Sequence, residues 1–242
     1  MALGVADLTR AELVKVRTVR SNWVATGLGI VAVSSLAVAM AAAGGRPLGP
    51  AAPEPVILPM EYFAYVAMVL GVLMVGSDIS VGTYRITLGL AMSRERVLLA
   101  KLAAGAAVGL VAGVVASVVV LASALLGGAG GQWDPASLRA NLVSLLVVPL
   151  ATLLGVAVGA LLRNGSSAIT LLLLWSLGAE TVLVLVLPHH VGAYLPFKTV
   201  GASREVVGVL GPVAGLAVFA GYTAALVLLA LLATRHRDAP VD

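Results

Sequence analysis

The chain has 242 residues, of which 60% are hydrophobic and only 11% charged, and its mean hydropathy is +1.08. Soluble domains carry about 25% charged residues, so this composition excludes an ordinary soluble domain and makes lipid the solvent for much of the surface. The formal net charge is +4, and the chain has no cysteine, which excludes disulfides and thiolate metal sites.

Taken in chain order, the first element is a charged segment, residues 8–22, ahead of any long apolar run. Thr9-Arg10-Ala11-Glu12 fits a capping box, with Thr9 as N-cap and Leu8 and Leu13 as the hydrophobic staple. Leu13, Val14, Val16 and Val19 share this helix with Arg10, Glu12, Lys15, Arg17 and Arg20. That mixture predicts an amphipathic helix on a membrane surface, its cations near anionic lipid. The simpler reading is a helical extension of the first span.

A helix that crosses the hydrocarbon core needs about 20 apolar residues. Stretches of that kind run over Trp23–Ala43, Pro59–Gly76, Leu102–Leu126, Ala140–Leu162, Ser167–Leu187 and Pro212–Ala233. The runs are continuous and do not alternate, which favours helices over a barrel. The expected fold is therefore an all-α integral membrane protein, one transmembrane domain over residues 1–242. It has six transmembrane helices, an amphipathic interfacial helix before the first, and a re-entrant segment before the last. The first run is longer than the apolar region of a signal peptide and follows a long charged segment, so it reads as a retained span.

The distribution of cations sets the expected orientation. With the N-terminus in the cytoplasm, eleven of the 15 cations fall inside, among them Arg10, Lys15, Arg17, Arg20, Arg85, Arg94, Arg96, Lys101, Arg163, Arg235 and Arg237. Arg46, Arg139, Lys198 and Arg204 fall outside. An even number of spans brings the C-terminus back to the cytoplasm, in the expected setting of a bacterial cytoplasmic membrane.

Between the second and third spans lies the longest internal polar segment, residues 77–101, with Arg85, Arg94 and Arg96 forming a basic cytoplasmic face. It reads either as a docking surface for another protein or as plain topology. Glu180 is the one carboxylate well inside a span, about 20 Å from its inner end at 1.5 Å per residue. A charge at that depth must face the bundle interior, a cavity or a partner, so Glu180 is either on a substrate path or in a structural hydrogen bond to a neighbouring helix or the outer loop. Gly105, Gly109 and Gly113 in the third span, and Gly155 and Gly159 in the fourth, form small-residue faces for close helix packing, within the chain or at a dimer seam. His189 and His190 are adjacent on the outer side, but two such ligands without carboxylates make a weak metal site. No metal ligand set is expected. The outer segment 188–211 is half apolar and contains Tyr194-Leu195-Pro196-Phe197, which suits a stretch that dips into the bundle.

The segment 77–101 resembles the first cytoplasmic loop of type 2 permeases of ATP-binding-cassette transporters. The matching residues are Asp78, Gly82-Thr83, Ser93-Arg94 and Lys101, and Glu12-Leu13-Val14-Lys15-Val16-Arg17 is similar to the opening helix of that family. Asp78 stands where Glu is commoner, and Ala91 where a Pro often precedes Ser-Arg. The resemblance implies that Asp78, Gly82, Thr83, Arg85, Ser93, Arg94 and Arg96 belong to a coupling helix docked on a separate ATP-binding subunit. It also implies that two permease chains work with two ATPase chains, as a homodimer or a heterodimer of permeases, and that residues 188–211 form short re-entrant helices near an outer gate.

The chain has no G-x-x-x-x-G-K-[ST] loop, no H-E-x-x-H motif and no G-x-S-x-G elbow. The resemblance implies a transport subunit that is not itself an enzyme, with ATP and Mg bound by the partner and no nucleic acid involved. The expected activity is export of an amphipathic small molecule, lipid or peptide. The alternatives are a stand-alone channel or ion-coupled carrier, for which Glu180 is the sole mid-membrane candidate, and an intramembrane enzyme, which would need a polar cluster within the spans.

Overall fold

In lipid every backbone N–H and C=O must find a partner within the protein, and a continuous apolar helix meets that demand by itself. The computed structural model describes residues 4–42, 57–80, 94–128, 135–202, 210 and 212–236, and every regular element among them is a helix. Six stretches are long and apolar enough to cross a membrane, which makes the chain a multi-pass membrane protein.

Helix α1 covers Val5–Thr18 and α2 covers Arg20–Ala42. The α3 helix is Ile57–Ser80, α4 is Arg94–Leu126 and α5 is Pro135–Leu162. The fifth span is broken into α6 (Gly165–Leu173), a π-helical turn (Leu174–Ala179) and α7 (Glu180–Val186). Two short helices follow, α8 (His189–Gly192) and α9 (Pro196–Ala202), before the last span, α10 (Pro212–His236).

Several boundaries differ from the sequence expectation. The capping box at Thr9 is not formed. Helix α1 begins earlier, at Val5, where the Gly4 N–H donates to Asp7 Oδ2 at 3.3 Å, and the Thr9 hydroxyl bonds back to the Val5 carbonyl at 2.8 Å. Nor is 8–22 a single helix. Val19 is extended and its N–H closes on Lys15 O, so Arg20 and Asn22 belong to α2. The third span starts at Arg94 and includes Lys101, because Val97, Leu98, Ala100, Leu102 and Ala104 around it are buried. Helices α3 and α4 thus extend into segment 77–101 from both sides. Gly82, Thr83, Arg85 and Ser93 lie outside the described residues.

Helices α3 and α5 form the centre. More than half of each is buried (61% and 56% of the apolar window), against 22% for α2, 17% for the fifth span and 17% for α10, so these three turn most of their surface outward to lipid or a partner. The central pair crosses at two glycines. A Cβ on Gly71 would lie 2.0 Å from Thr152 O, and one on Gly155 would lie 2.0 Å from Met68 O. The stripe of Gly105, Gly109 and Gly113 on α4 meets Val156, Thr152, Pro149 and Val148 of α5. The small-residue faces of the third and fourth spans therefore serve packing within the chain, as small interfaces do in lipid.

The contacts also sort the helix ends. Arg235 pairs with Glu95, Glu12 with Lys101, and Gly76 approaches Gly165, so the ends of α3, α5 and α10 gather with α1 and the starts of α4 and α6 at one face. This charged end holds Arg10, Lys15, Arg17, Arg20, Arg94, Arg96, Lys101, Arg163 and Arg235. At the opposite end Gly127 packs on Val38 and Ala41, and the Tyr222 hydroxyl donates to Tyr194 O at 3.1 Å.

Candidate functional site

The charged end contains a buried cluster built from three helices. Leu8 of α1 is buried with Val97 and Ala100 of α4, which sets the face of α1 bearing Glu12 against the start of α4. Glu12 is 3% exposed and Lys101 1%. Lys101 Nζ donates to Glu12 Oε2 at 2.8 Å, to Asp78 Oδ2 at 2.5 Å and to the Met74 carbonyl at 3.0 Å. An ammonium has three N–H donors, so all of them are engaged. Lys15 closes the circle from the rim, donating to Glu12 Oε1 at 2.8 Å and Asp78 Oδ2 at 3.1 Å.

The cluster holds two carboxylates and two ammoniums, so its formal charge is zero. Burial opposes the charged form of Asp78, but the charge and hydrogen bond of Lys101, followed by those of Lys15, hold its carboxyl below its ordinary value. For Lys15 burial likewise opposes charge, and the hydrogen bond and charge of Glu12, then of Asp78, outweigh it and raise the ammonium above its ordinary value. Asp78 and Lys15 are thus both ionised at neutral pH. The cluster joins α1 to α3 and α4, the two helices that flank residues 81–93, and acts as an electrostatic latch.

The sequence-predicted residues therefore divide. Glu12 and Lys15, read as members of an interfacial helix, and Asp78, read as a coupling residue, meet in one cluster. Arg17 and Arg20 stay exposed, as does Arg96; Arg94 is half-buried. Lys101, which closed the motif only by position, is the hub. A cation within the apolar run Leu98–Ala107 is the signal that marks it, since a buried charge requires partners.

Glu180 is fully buried at the opposite end. Its Oε1 accepts from Trp175 Nε1 at 3.0 Å and from the Phe197 N–H at 3.1 Å. Oε2 accepts from the N–H groups of Phe197 and Lys198, both at 3.1 Å. These N–H groups open α9 and would otherwise have no intrahelical partner. A carboxylate there satisfies them and complements the helix dipole. Glu180 thus makes the structural hydrogen bonds to the segment before the last span that one of its two readings expects. Phe197 then packs between Tyr65 and Phe219 in tilted contacts, with ring centroids 5.9 and 6.2 Å away. The π turn assists, because the Glu180 N–H bonds Trp175 O five residues back. In a regular α-helix residues five apart are rotated by about 140°; the wider turn brings Trp175 and Glu180 to one side.

Among the described residues, no group of three or more His, Asp or Glu side chains could hold a metal ion. No family model matches the chain, and no curated protein matches it.

Proposed function

We propose that the chain is the membrane-spanning permease subunit of an ATP-binding-cassette transporter, most similar in its motifs to type 2 exporters. The observation that carries the reading is the latch. The two stretches with the family resemblance, around Glu12–Arg17 and Asp78–Lys101, are joined by the buried Lys101–Glu12 pair at 2.8 Å and by the half-buried Lys15–Asp78 pair at 3.1 Å. In such a permease the opening helix lies beside the coupling segment, and the latch supplies the physical reason for that placement.

On this reading α1 lies along the cytoplasmic surface, with Arg10, Arg17 and Arg20 toward anionic headgroups. Gly82, Thr83, Arg85, Ser93, Arg94 and Arg96 dock on a separate ATP-binding subunit, which holds ATP and Mg. The permease works as a pair, with two ATPase chains, in a bacterial cytoplasmic membrane with both termini inside. A push on residues 81–93 reaches α3 and α4 together, because Lys101 and Asp78 fasten them to each other and to α1. At the far end α8 and α9 form the re-entrant segment near the outer gate, held by Glu180. The weakly buried faces of α2, the fifth span and α10 are available to the second permease chain and to an amphipathic cargo.

A photo-crosslinking residue in place of Arg85 tests this. It is expected to capture an ATP-binding protein, while the same residue in place of Tyr194 captures none. Capture of no ATP-binding protein at position 85 overturns the coupling assignment.

A further inference from the structure

The fifth span divides at its π turn. Before the turn, α6 is anchored in the core by Ala168 and Leu172. Beyond it, Glu180 is the one buried residue of α7, while Leu185 is 83% exposed and Val186 75%. The half-span beyond the turn is therefore fastened to the bundle chiefly through one side chain. The turn itself has room to change shape. Ser176 is its one buried residue, and a Cβ on Gly178 would meet nothing within 4 Å. Such turns are rare inside α-helices and occur frequently at functional sites.

The turn and the hydrogen bonds of Glu180 depend on each other. Trp175 Nε1 reaches Glu180 Oε1 at 3.0 Å because the wide turn puts both side chains on one side. Rewinding residues 174–179 as α-helix would rotate α7 by about 100° and advance it by about 1.5 Å, the step of one residue. Glu180 would then leave Trp175 and, in the same movement, the N–H groups of Phe197 and Lys198. The extended Leu187 between α7 and α8 takes up the shift. In the rewound form each N–H of the turn bonds four residues back, so both forms satisfy the backbone, as lipid demands. The Phe197 ring and the Phe197 N–H belong to one residue, so the carboxylate that caps α9 also holds the ring between Tyr65 and Phe219.

We infer that the π turn, Glu180 and α9 form a two-state gate at the end of the bundle opposite the charged cluster. In the closed state, the one in the structure, the turn is wide, Glu180 caps α9, and Phe197 fills the slot between Tyr65 on α3 and Phe219 on α10. In the open state the turn is α-helical, the cap is undone, and Phe197 leaves the slot. The Tyr222 hydroxyl, which donates to Tyr194 O at 3.1 Å, keeps the segment tethered to α10 as the gate opens. The inference deepens the proposed role of α9 at a gate. The switch is a property of this chain alone and needs no ATP-binding partner, so it stands or falls apart from the transporter reading.

The test perturbs one side of the switch and reads the other, on the full chain in detergent. Phe197→Ala empties the slot and leaves the carboxylate, its backbone donors and the turn residues in place. Hydrogen exchange over residues 174–180 is expected to quicken at least about tenfold in that variant, as for a shared opening. Phe219→Leu loosens the same slot and replaces it if Phe197→Ala does not fold. In the other direction, Trp175→Phe removes one bond at the turn and alters no atom of α9. The chain has no cysteine, and Thr199 is fully buried on α9, so Thr199→Cys reports opening by its reaction with a maleimide. Adding Trp175→Phe is expected to speed that reaction at least about tenfold. Leu185→Ala, at an exposed site on α7, is expected to change neither reading. Unchanged exchange over 174–180 in the slot variant, unchanged labelling with Trp175→Phe, or an acceleration that extends equally to α1 overturns the inference.

Discussion

Lys101 and Glu12 are 89 residues apart in sequence, yet Nζ and Oε2 lie 2.8 Å apart in a site closed to solvent. That single pair fastens the first helix of the chain to the start of the third span, and Asp78 brings the end of the second span to the same nitrogen. Removing one member of a buried ion pair leaves an uncompensated charge, which is destabilising by about 3–5 kcal/mol. Lys101→Met should therefore lower the thermal midpoint in detergent markedly and expose α1 to proteolysis at Arg10 and Arg17. Replacing Glu12, Asp78 and Lys101 together with Gln, Asn and Met should restore part of the lost stability, since the stranded charges are gone.

The same cluster sets a pH range. The depressed carboxyl of Asp78 contributes stability above its unfolded value, about 3.9, and this is lost as pH falls through the folded value below it. The raised ammonium of Lys15 contributes stability below its unfolded value, about 10.4, lost as pH rises through the folded value above it. Attachment of α1 should thus be flat across neutral pH and weaken at both extremes. Hydrogen exchange of α1 measured from acid to alkaline pH checks this, and an Asp78→Asn variant should lose the acid-side transition.

Glu180 gives a prediction of a different kind. A buried donor left without its acceptor costs about 1–3 kcal/mol. Glu180→Gln puts an NH2 group among three N–H donors and should destabilise the end of the bundle opposite the charged cluster by about that much. The local effect is readable as faster exchange at Phe197, Lys198 and Thr199, with α1 unchanged. Trp175→Phe should give a smaller loss at the same place.

Much of the fold is legible in the chain because lipid imposes a length rule on every span, and the six apolar runs satisfy it within a few residues. What the runs do not reveal is where each helix continues past its apolar part. Ser93-Arg94-Glu95-Arg96 reads as a helix start leading into the third span, and the helix does begin at Arg94. The apolar run opens only at Leu102 because charged residues end a hydropathy window, although one face of Arg94–Lys101 is buried. The break at Val19 and the π turn at Leu174–Ala179 leave no mark on composition. Thr9 looks like a cap, yet Gly4 and Asp7 provide the helix start, since a local motif yields to where α1 can pack on α4. The members of the latch are visible singly, as two motifs, and their meeting is a tertiary fact.

The central crossing of α3 and α5 offers a packing test. Gly155→Ala places a methyl group 2.0 Å from the Met68 carbonyl, so the helices must separate. Overpacking of this kind costs about 1–3 kcal/mol. Gly178→Ala, with nothing within 4 Å of the new atom, should be close to neutral. Thermal unfolding of the two variants in the same detergent compares them directly.

In the proposed function a separate ATPase docked on the charged end drives this chain. Affinity purification of the tagged full chain in mild detergent, with gentle crosslinking and mass spectrometry of whatever remains bound, tests it most directly. A stoichiometric ATP-binding protein is expected, lost when Arg94 and Arg96 are both changed to Glu while the chain still inserts and folds. A preparation with no ATP-binding protein after crosslinking, or one retained undiminished by the double variant, would contradict it.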